Sequence, residues 1–375
     1  MPVSLVTGAR GFVGGWLARA LLERGEQVVS FDRRRLTEKP SAIGMLGIED
    51  DLVQVEGDLC DGAELERVLR ENRVDTAFHL AAETIVSTVR DSPVQGFESN
   101  VRGTWTLLQA CLEGGVDRVV FASSDKAYGA HDELPYREDF PLQPTAPYEA
   151  SKAAADLIAR SYWHSYGLPV AVTRFANIYG GDLNFSRLVP EAVSAALDGR
   201  APVLRSDGTP ERDFLYVEDA ASAYLAIVDA LDRDDVRGEV FNAGGGRSHA
   251  VGEVVAGADR EALRHRGRAG RPWHRQSGGR DRPPVRGPGE DPGAPGLGAR
   301  RGPGGGAEPN PRLVPRAPGG AGAGAPPVGL GRPRWSAGPR AHALPASPGR
   351  VGLGREGVGP SRSVVRSASS IDSRG

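Results

Sequence analysis

The chain has 375 residues, 39% hydrophobic and 25% charged, with a formal net charge of −2, enough for one large or two ordinary domains. That balance conceals a division near Val255: residues 256–375 hold 27 of the 51 Gly, 18 of the 29 Pro, and 21 Arg against 8 acidic residues, whereas the first 255 residues carry 25 bases against 40 acids. An acidic body argues against nucleic acid as its main partner, and a segment so rich in Gly and Pro, with no Phe, Tyr or Lys, is expected to be disordered because it cannot bury enough apolar surface to offset chain entropy.

Cys60 and Cys111 are the only cysteines; they show no metal-ligand spacing and require no disulfide, which suits a reducing cytoplasm. The first strand candidate starts at Val3, leaving no room for a signal peptide, and no apolar run approaches the roughly 18 residues that span a bilayer. The expectation is a soluble protein without a metal.

In chain order, Val3 to Val6 is a short apolar run, followed by a glycine-rich turn, helical spacing from Phe12 to Leu22, and a second apolar run from Gln27 to Phe31 that ends at Asp32. This is a βαβ unit. Leu52 to Val55, Thr76 to Leu80 and Val119 to Ala122 continue as strands, separated by the helix candidates Ala63 to Leu69 and Phe97 to Leu112. Such alternation predicts a Rossmann-type, doubly wound α/β fold with a parallel sheet covered on both faces. Tyr148 to Tyr166 reads as a long helix, Val170 to Arg174 as a strand and Leu188 to Leu197 as another helix. Beyond them, Pro202 to Leu204, Arg212 to Val217, the helix candidate Glu218 to Asp229 and Glu239 to Asn242 suggest a smaller substrate-binding portion. The implied organisation is a dinucleotide-binding domain over 1–175, a partial substrate lobe over 176–255 and a tail over 256–375.

The glycine turn carries the first chemistry. In Gly8-x-x-Gly11-x-x-Gly14 the glycines permit a tight turn and close approach of backbone to a pyrophosphate, which then sits at the N-terminus of the next helix. Phe12 and Val13 belong to the same turn. Asp32, at the end of the second strand, can accept hydrogen bonds from adenosine ribose hydroxyls and would repel a 2′-phosphate, favouring NAD over NADP. Arg33, Arg34 and Arg35 follow at once; they either soften that preference or form a solvated basic turn.

The second chemistry is a YxxxK pair, Tyr148 and Lys152, preceded by Ser123-Ser124-Asp125-Lys126. Four residues along a helix put both side chains on one face, where an ammonium favours the phenolate of a tyrosine. The tyrosine then serves as a base near neutral pH.

These motifs resemble the extended short-chain dehydrogenase/reductase family, specifically its nucleotide-sugar epimerases and dehydratases, over roughly residues 2 to 255. The matching segments are TGARGFVG, Asp58-Leu59, His79-Leu80-Ala81-Ala82, Asn100 in SNVRGT, the serine run, YEASK, RFANIYG and RDFLYVED. The resemblance implies that Asp58 and Leu59 lie by the adenine, that Ala81 and Ala82 line the cofactor together with Asn100, and that Ser124 hydrogen-bonds the sugar 4-hydroxyl beside Tyr148. It also implies that Asn177 and Arg212 hold the diphosphate or nucleotide of a nucleotide-diphosphate hexose, although for Arg212 a surface ion pair with Glu211 or Asp213 is the plain alternative. By analogy a homodimer is expected through the helices 97–112 and 148–166, with no nucleic-acid or membrane partner. His79 reads as structural, and Tyr128 either packs beneath the site or touches the sugar.

Asp125-Lys126 is the most discriminating pair. A 4-epimerase needs only Ser or Thr, Tyr, Lys and NAD, whereas a 4,6-dehydratase also needs one group to remove the C5 proton and another to protonate the departing C6 hydroxyl. A Ser-Asp-Lys run resembles CDP-glucose 4,6-dehydratases, while the dTDP-glucose enzymes have Asp then Glu. The resemblance thus implies Asp125 as acid and Lys126 as base, provided burial or the neighbouring Lys152 lets Lys126 be neutral; otherwise Lys126 only pairs with Asp125 or a substrate phosphate. The reading is an NAD-dependent CDP-glucose-type dehydratase that oxidises C4, eliminates water across C5–C6 and returns the hydride to C6. A 4-epimerase and a non-catalytic dinucleotide-binding protein are the alternatives.

The tail also has two readings. One is an Arg-Gly-Pro-rich nucleic-acid-binding arm, for which only Trp273 and Trp335 supply aromatic stacking. The other is a change of reading frame, since Pro272 to Ala299 can be back-translated and read one nucleotide later as a sequence resembling the end of a nucleotide-sugar epimerase or dehydratase.

Overall fold

Seven strands pair side by side in the order β3-β2-β1-β4-β5-β6-β9, all parallel. They are β1 (Val3–Thr7), β2 (Gln27–Asp32), β3 (Val53–Glu56), β4 (Thr76–His79), β5 (Arg118–Ala122), β6 (Val170–Phe175) and β9 (Val240–Ala243). The computed structural model describes residues 1–33, 40–204 and 206–268. The order reverses between β1 and β4, the crevice where doubly wound sheets bind ligands at the carboxyl ends of their strands.

Successive strand residues enter opposite cores, as a pleat of period two requires. Leu5, Val29, Val119 and Val172 pack on one face with Leu107, Leu108 and Ala155, while Val6, Val28, Val120 and Ala171 pack on the other with Leu17, Leu21 and Tyr224. The strands therefore read as nearly continuous apolar runs, and β1 and β6 are buried along their whole length. Helices α1 (Phe12–Glu23) and, on the far side of the sheet, α2 (Gly62–Asn72), α3 (Gly103–Gly114) and α4 (Pro147–Tyr166) cover the two faces.

A second sheet of three strands, β10-β8-β7, comprises β7 (Asn177–Tyr179), β8 (Glu211–Tyr216) and β10 (Ser248–Ala250). Beside it lie α5 (Leu188–Asp198) and α7 (Val251–Arg268), whereas α6 (Val217–Asp229) joins the core of the large sheet through Ala220, Tyr224 and Ile227. The segment 176–255 thus divides between the sheets: β7, β8 and β10 build the small one, and α6 and β9 return to the large one.

Three differences from the sequence reading have physical causes. The helix expected over Phe97–Leu112 is broken into Pro93–Phe97, a widened π turn over Glu98–Arg102, and α3. Gly103, just past the π turn, abuts Leu59, where an added Cβ would lie 2.9 Å from the leucine Cβ. Residues 202–204 do not form the expected strand; Val203 is exposed and its N–H donates to Glu191 instead. Finally, α7 runs past the compositional boundary at Val255, because Val254, Val255 and Ala258 are buried against α5 residues Val189 and Ala192. Of the tail readings, residues 269–375, with Trp273 and Trp335, lie outside the described residues.

Candidate active site at the carboxyl edge of the sheet

The turn between β1 and α1 is built around its own backbone. Gly8 adopts a left-handed φ of 79°, and an added Cβ would sit 3.0 Å from the Ala81 backbone. Gly11 N–H donates to Gly8 O at 2.9 Å, and an added Cβ on Gly14 would lie 2.2 Å from that same oxygen. Gly8 and Gly14 are therefore required by the turn itself. The first turn of α1 follows Gly11 and has no side-chain cap, so its backbone donors suit a pyrophosphate.

Asp32 ends β2 beside this turn. Its carboxylate accepts from Arg10 N–H at 3.3 Å to each oxygen and from Ser30 Oγ at 2.7 Å; burial raises its pKa, while those two donors and the Arg10 charge oppose the rise. Arg33 is exposed, and Arg34 and Arg35 lie outside the described residues. The uncapped glycine turn and the carboxylate at the end of β2 fit a dinucleotide with free ribose hydroxyls.

Asp58 and Leu59 follow β3: Asp58 Oδ1 accepts from Cys60 N–H at 2.9 Å, and Leu59 packs against Gly103. Ala81 and Ala82 follow β4, half-buried, with Ala81 N–H donating to Thr7 Oγ1 at 3.2 Å. Asn100 is buried and its side chain is spent on protein partners: Oδ1 accepts from Glu83 N–H at 2.7 Å, and Nδ2 donates to Glu83 O at 3.1 Å and Ser151 Oγ at 3.0 Å. It ties the loop after β4 to α4.

His79 lies within a chain of hydroxyls. Thr104 Oγ1 donates to Asn100 O, so it accepts from His79 Nε2–H at 3.0 Å; Nδ1 consequently accepts from Thr7 Oγ1 at 2.8 Å. Full burial, aided by the Lys152 charge, pulls this imidazole down to about 3 and keeps it neutral.

The catalytic candidates converge from two elements. After β5, Ser124 Oγ donates to Asp125 Oδ1 at 3.1 Å and accepts from Lys126 N–H at 3.2 Å, capping the short turn Asp125–Tyr128. From α4, the buried Tyr148 enters the electrostatic reach of Asp125 and Ser124. Asp125 is buried, its Oδ2 has no hydrogen-bond partner, and Lys126 Nζ stands 3.9 Å from that oxygen.

Lys152 lies one turn beyond Tyr148 and is also buried, as the YxxxK spacing predicts. Its ammonium, however, donates to Ala122 O at 2.8 Å and lies 5.5 Å from the Phe121 ring centroid; burial pulls it down to about 8, with Asp156 opposing. Tyr148 is pushed up to about 12, first by burial and then by Asp125, with Ser124 and Arg187 opposing. The expected lowering of the phenol by Lys152 is not the balance in this structure.

On the substrate side, Asn177 Nδ2 donates to Asp213 O at 3.1 Å, joining β7 to β8. Arg212 Nη1 donates to Glu211 O at 2.6 Å, and among the described residues Arg212 forms no ion pair with Glu211 or Asp213. Sequence reasoning missed four further residues. Asp213 is buried, accepts from Gly245 N–H at 2.7 Å, and is pushed up to about 6 by burial, with Asp125 adding to the rise. Tyr136 donates to Gly129 O at 2.7 Å within the fields of Asp125 and Arg212. Arg187 pairs with Asp182 at 3.0 Å, reaches Thr84 Oγ1 at 3.3 Å and lies 5.7 Å from the Phe12 ring centroid. Glu83 joins them in the electrostatic field of Tyr148. Asp213 stands in the motif RDFLYVED beside Arg212, and Arg187 lies in the stretch RFANIYGGDLNFSRLVPE.

The model of the NAD dependent epimerase/dehydratase family matches residues 4–244. The chain belongs to that family. Among relatives of this epimerase/dehydratase, the dTDP-glucose 4,6-dehydratase of Streptomyces antibioticus is 38% identical over 64% of this chain and 72% of that protein. The solved dTDP-glucose 4,6-dehydratase of Bacillus anthracis, in complex with NAD, is 33% identical with a TM-score of 0.62, covering 70% of this chain and 81% of that one. The UDP-glucose 4-epimerase of Thermotoga maritima, solved with UDP-glucose, is 27% identical with a TM-score of 0.64, covering 70% and 82%. The relatives are NAD-dependent nucleotide-sugar dehydratases and epimerases, and NAD is the cofactor of the family. No helix among the described residues is long and apolar enough to cross a membrane.

Proposed function

We propose that the chain is a nucleotide-sugar 4,6-dehydratase with CDP-glucose as its substrate. The observation that carries this reading is the Asp125–Lys126 pair: a buried carboxylate with one oxygen that has no hydrogen bond, and an amine 3.9 Å from it, the carboxylate accepting from Ser124 and lying within the electrostatic reach of Tyr148. Oxidation and reduction at C4 need neither; elimination needs both an acid and a base. NAD, when bound, takes up hydrogen from C4 and returns it to C6.

The chain's own groups supply the protons. Tyr148 takes the proton of the C4 hydroxyl, with Ser124 orienting that hydroxyl; Lys152, anchored on Ala122 O, supports the tyrosine once its ammonium is released from that carbonyl. Lys126 removes the C5 proton and gives it back to C5 when hydride enters C6, and Asp125 delivers to the departing C6 oxygen a proton that is replaced by the one Tyr148 took from the C4 hydroxyl. Asn177 and Arg212 bind the diphosphate or nucleotide, with 1–175 holding the cofactor and 176–255 contributing the substrate lobe. The dTDP-linked relatives make dTDP-glucose the substrate to compare, and the UDP-glucose 4-epimerase relatives keep 4-epimerisation as the second reading. We further read the protein as a cytoplasmic homodimer, supported by free Cys60 and Cys111 and by the exposed Phe97, Trp105 and Leu157 on the expected contact helices.

The test is mass spectrometry of CDP-glucose and dTDP-glucose incubated with NAD and the full chain. Loss of one water from CDP-glucose supports the reading; loss only from dTDP-glucose moves the nucleotide preference. No loss from either sinks the dehydratase, and an isobaric product resolved by chromatography would then identify the epimerase. Turnover of neither sugar with retained NAD binding would mark a non-catalytic dinucleotide-binding protein.

A further inference from the structure

A cation stands in the dinucleotide turn, and the fold occupies it. Arg10 lies between Gly8 and Gly11, and its backbone N–H donates to both carboxylate oxygens of Asp32. Its side chain therefore starts beside the acid assigned to the adenosine ribose. Yet the guanidinium does not pair with Asp32: Nη1 donates to Glu49 Oε1 at 2.8 Å and to Gln54 Oε1 at 3.1 Å. Gln54 in turn donates to Glu49 O at 2.8 Å, and Ser41 Oγ to Glu49 Oε1 at 3.4 Å.

The cluster is continuous with the ribose acid. Gln54 on β3 stands opposite Ser30 on β2, and Ser30 Oγ holds Asp32 Oδ2. The Arg10 side chain is 11% exposed, and its Nε is buried with no hydrogen-bond partner. An arginine fork at this place would suit a 2′-phosphate, because guanidinium binds phosphate oxygens in a bidentate manner. Glu49 competes with that phosphate for the same donors.

We infer that Glu49 is a cofactor-specificity residue: by engaging Arg10 together with Gln54, it withholds from NADP the one cation the glycine turn carries. Asp32 repels the 2′-phosphate, and Glu49 removes the charge that would offset the repulsion. Asp32 accepts from the backbone N–H of this arginine and Glu49 from its guanidinium. The inference rests on NAD binding and not on whether the reaction is dehydration.

Calorimetric titration of the full chain with NAD or NADP alone, without any sugar nucleotide, tests it. Glu49→Gln is expected to tighten NADP about tenfold, the scale of one charge-assisted contact, and to leave NAD within about twofold because the ribose acid is untouched. Arg10→Met is expected to move the other way, weakening NADP relative to NAD, because Glu49 is then an unpaired acid near the phosphate. Thermal melts establish that both variants fold, and if Glu49→Gln does not, the direction of Arg10→Met decides. An unchanged NADP-to-NAD ratio in Glu49→Gln, or a rise in NADP affinity in Arg10→Met, overturns the assignment. Absence of any NAD heat from the parent chain overturns it as well, and that result is distinct from failure of the dehydratase reading.

Discussion

Ser124 donates its hydroxyl to Asp125 Oδ1 at 3.1 Å, and this single bond leaves the other oxygen of the same carboxylate buried and without a hydrogen-bond partner. An unsatisfied buried acceptor costs about 1–3 kcal/mol, a cost that structures retain where an incoming group supplies the missing partner. The Lys126 amine, 3.9 Å away, is too far for a hydrogen bond but close enough to share a substrate.

Asp125→Asn tests that role with little structural disturbance, because the amide oxygen can still accept from Ser124. Dehydration is expected to fall by about a hundredfold or more, the usual contribution of a positioned acid or base, while NAD affinity stays unchanged. Single-turnover assays that follow cofactor reduction and water loss separately would show oxidation at C4 retained and elimination lost. Retention of most overall activity would instead fit a 4-epimerase.

Gly14 and Gly11 predict a contrast within one motif. Gly14→Ala puts a Cβ 2.2 Å from Gly8 O, a backbone atom that cannot rotate away, whereas the Gly11 Cβ would meet that oxygen at 3.1 Å. Gly14→Ala is expected to cost about 1–3 kcal/mol of stability or more as an overpacked site and to abolish NAD binding. Gly11→Ala should cost clearly less, as read by urea midpoints and NAD titration of both variants.

Much of this was legible in the sequence because the large sheet is buried on both faces. Val3–Thr7, Gln27–Asp32 and Val170–Phe175 contrast with the periodic helices between them, and the glycine turn, Asp32, Ser124 and Tyr148 follow from that frame. What stayed hidden depends on pairing rather than pattern. Strands such as Asn177–Tyr179 and Ser248–Ala250 are too short to alternate visibly, and nothing local says that Val240–Ala243 returns to the large sheet beside β6. The same holds at the site: Arg187 and Asp213 come near Tyr148 and Asp125 only through tertiary folding. The Gly/Pro bias after Val255 likewise could not reveal that Ala258 is buried against α5.

His79 gives a prediction in pH. Its imidazole is held down at about 3 by burial and by Lys152, against an ordinary value of 6.5, so between those values the unfolded chain binds one more proton at this site than the folded one. The sign follows: its contribution to stability is complete above about pH 6.5 and is lost as pH falls toward 3, at up to about 1.4 kcal/mol per unit. Urea unfolding at a series of pH values should show this slope. In His79→Gln the pH-dependent part should shrink, even though the variant is less stable at neutral pH from losing the bonds to Thr7 and Thr104. An unaltered slope would assign the acid sensitivity to other groups, and the neutral, doubly hydrogen-bonded histidine beneath the cofactor turn would not be its source.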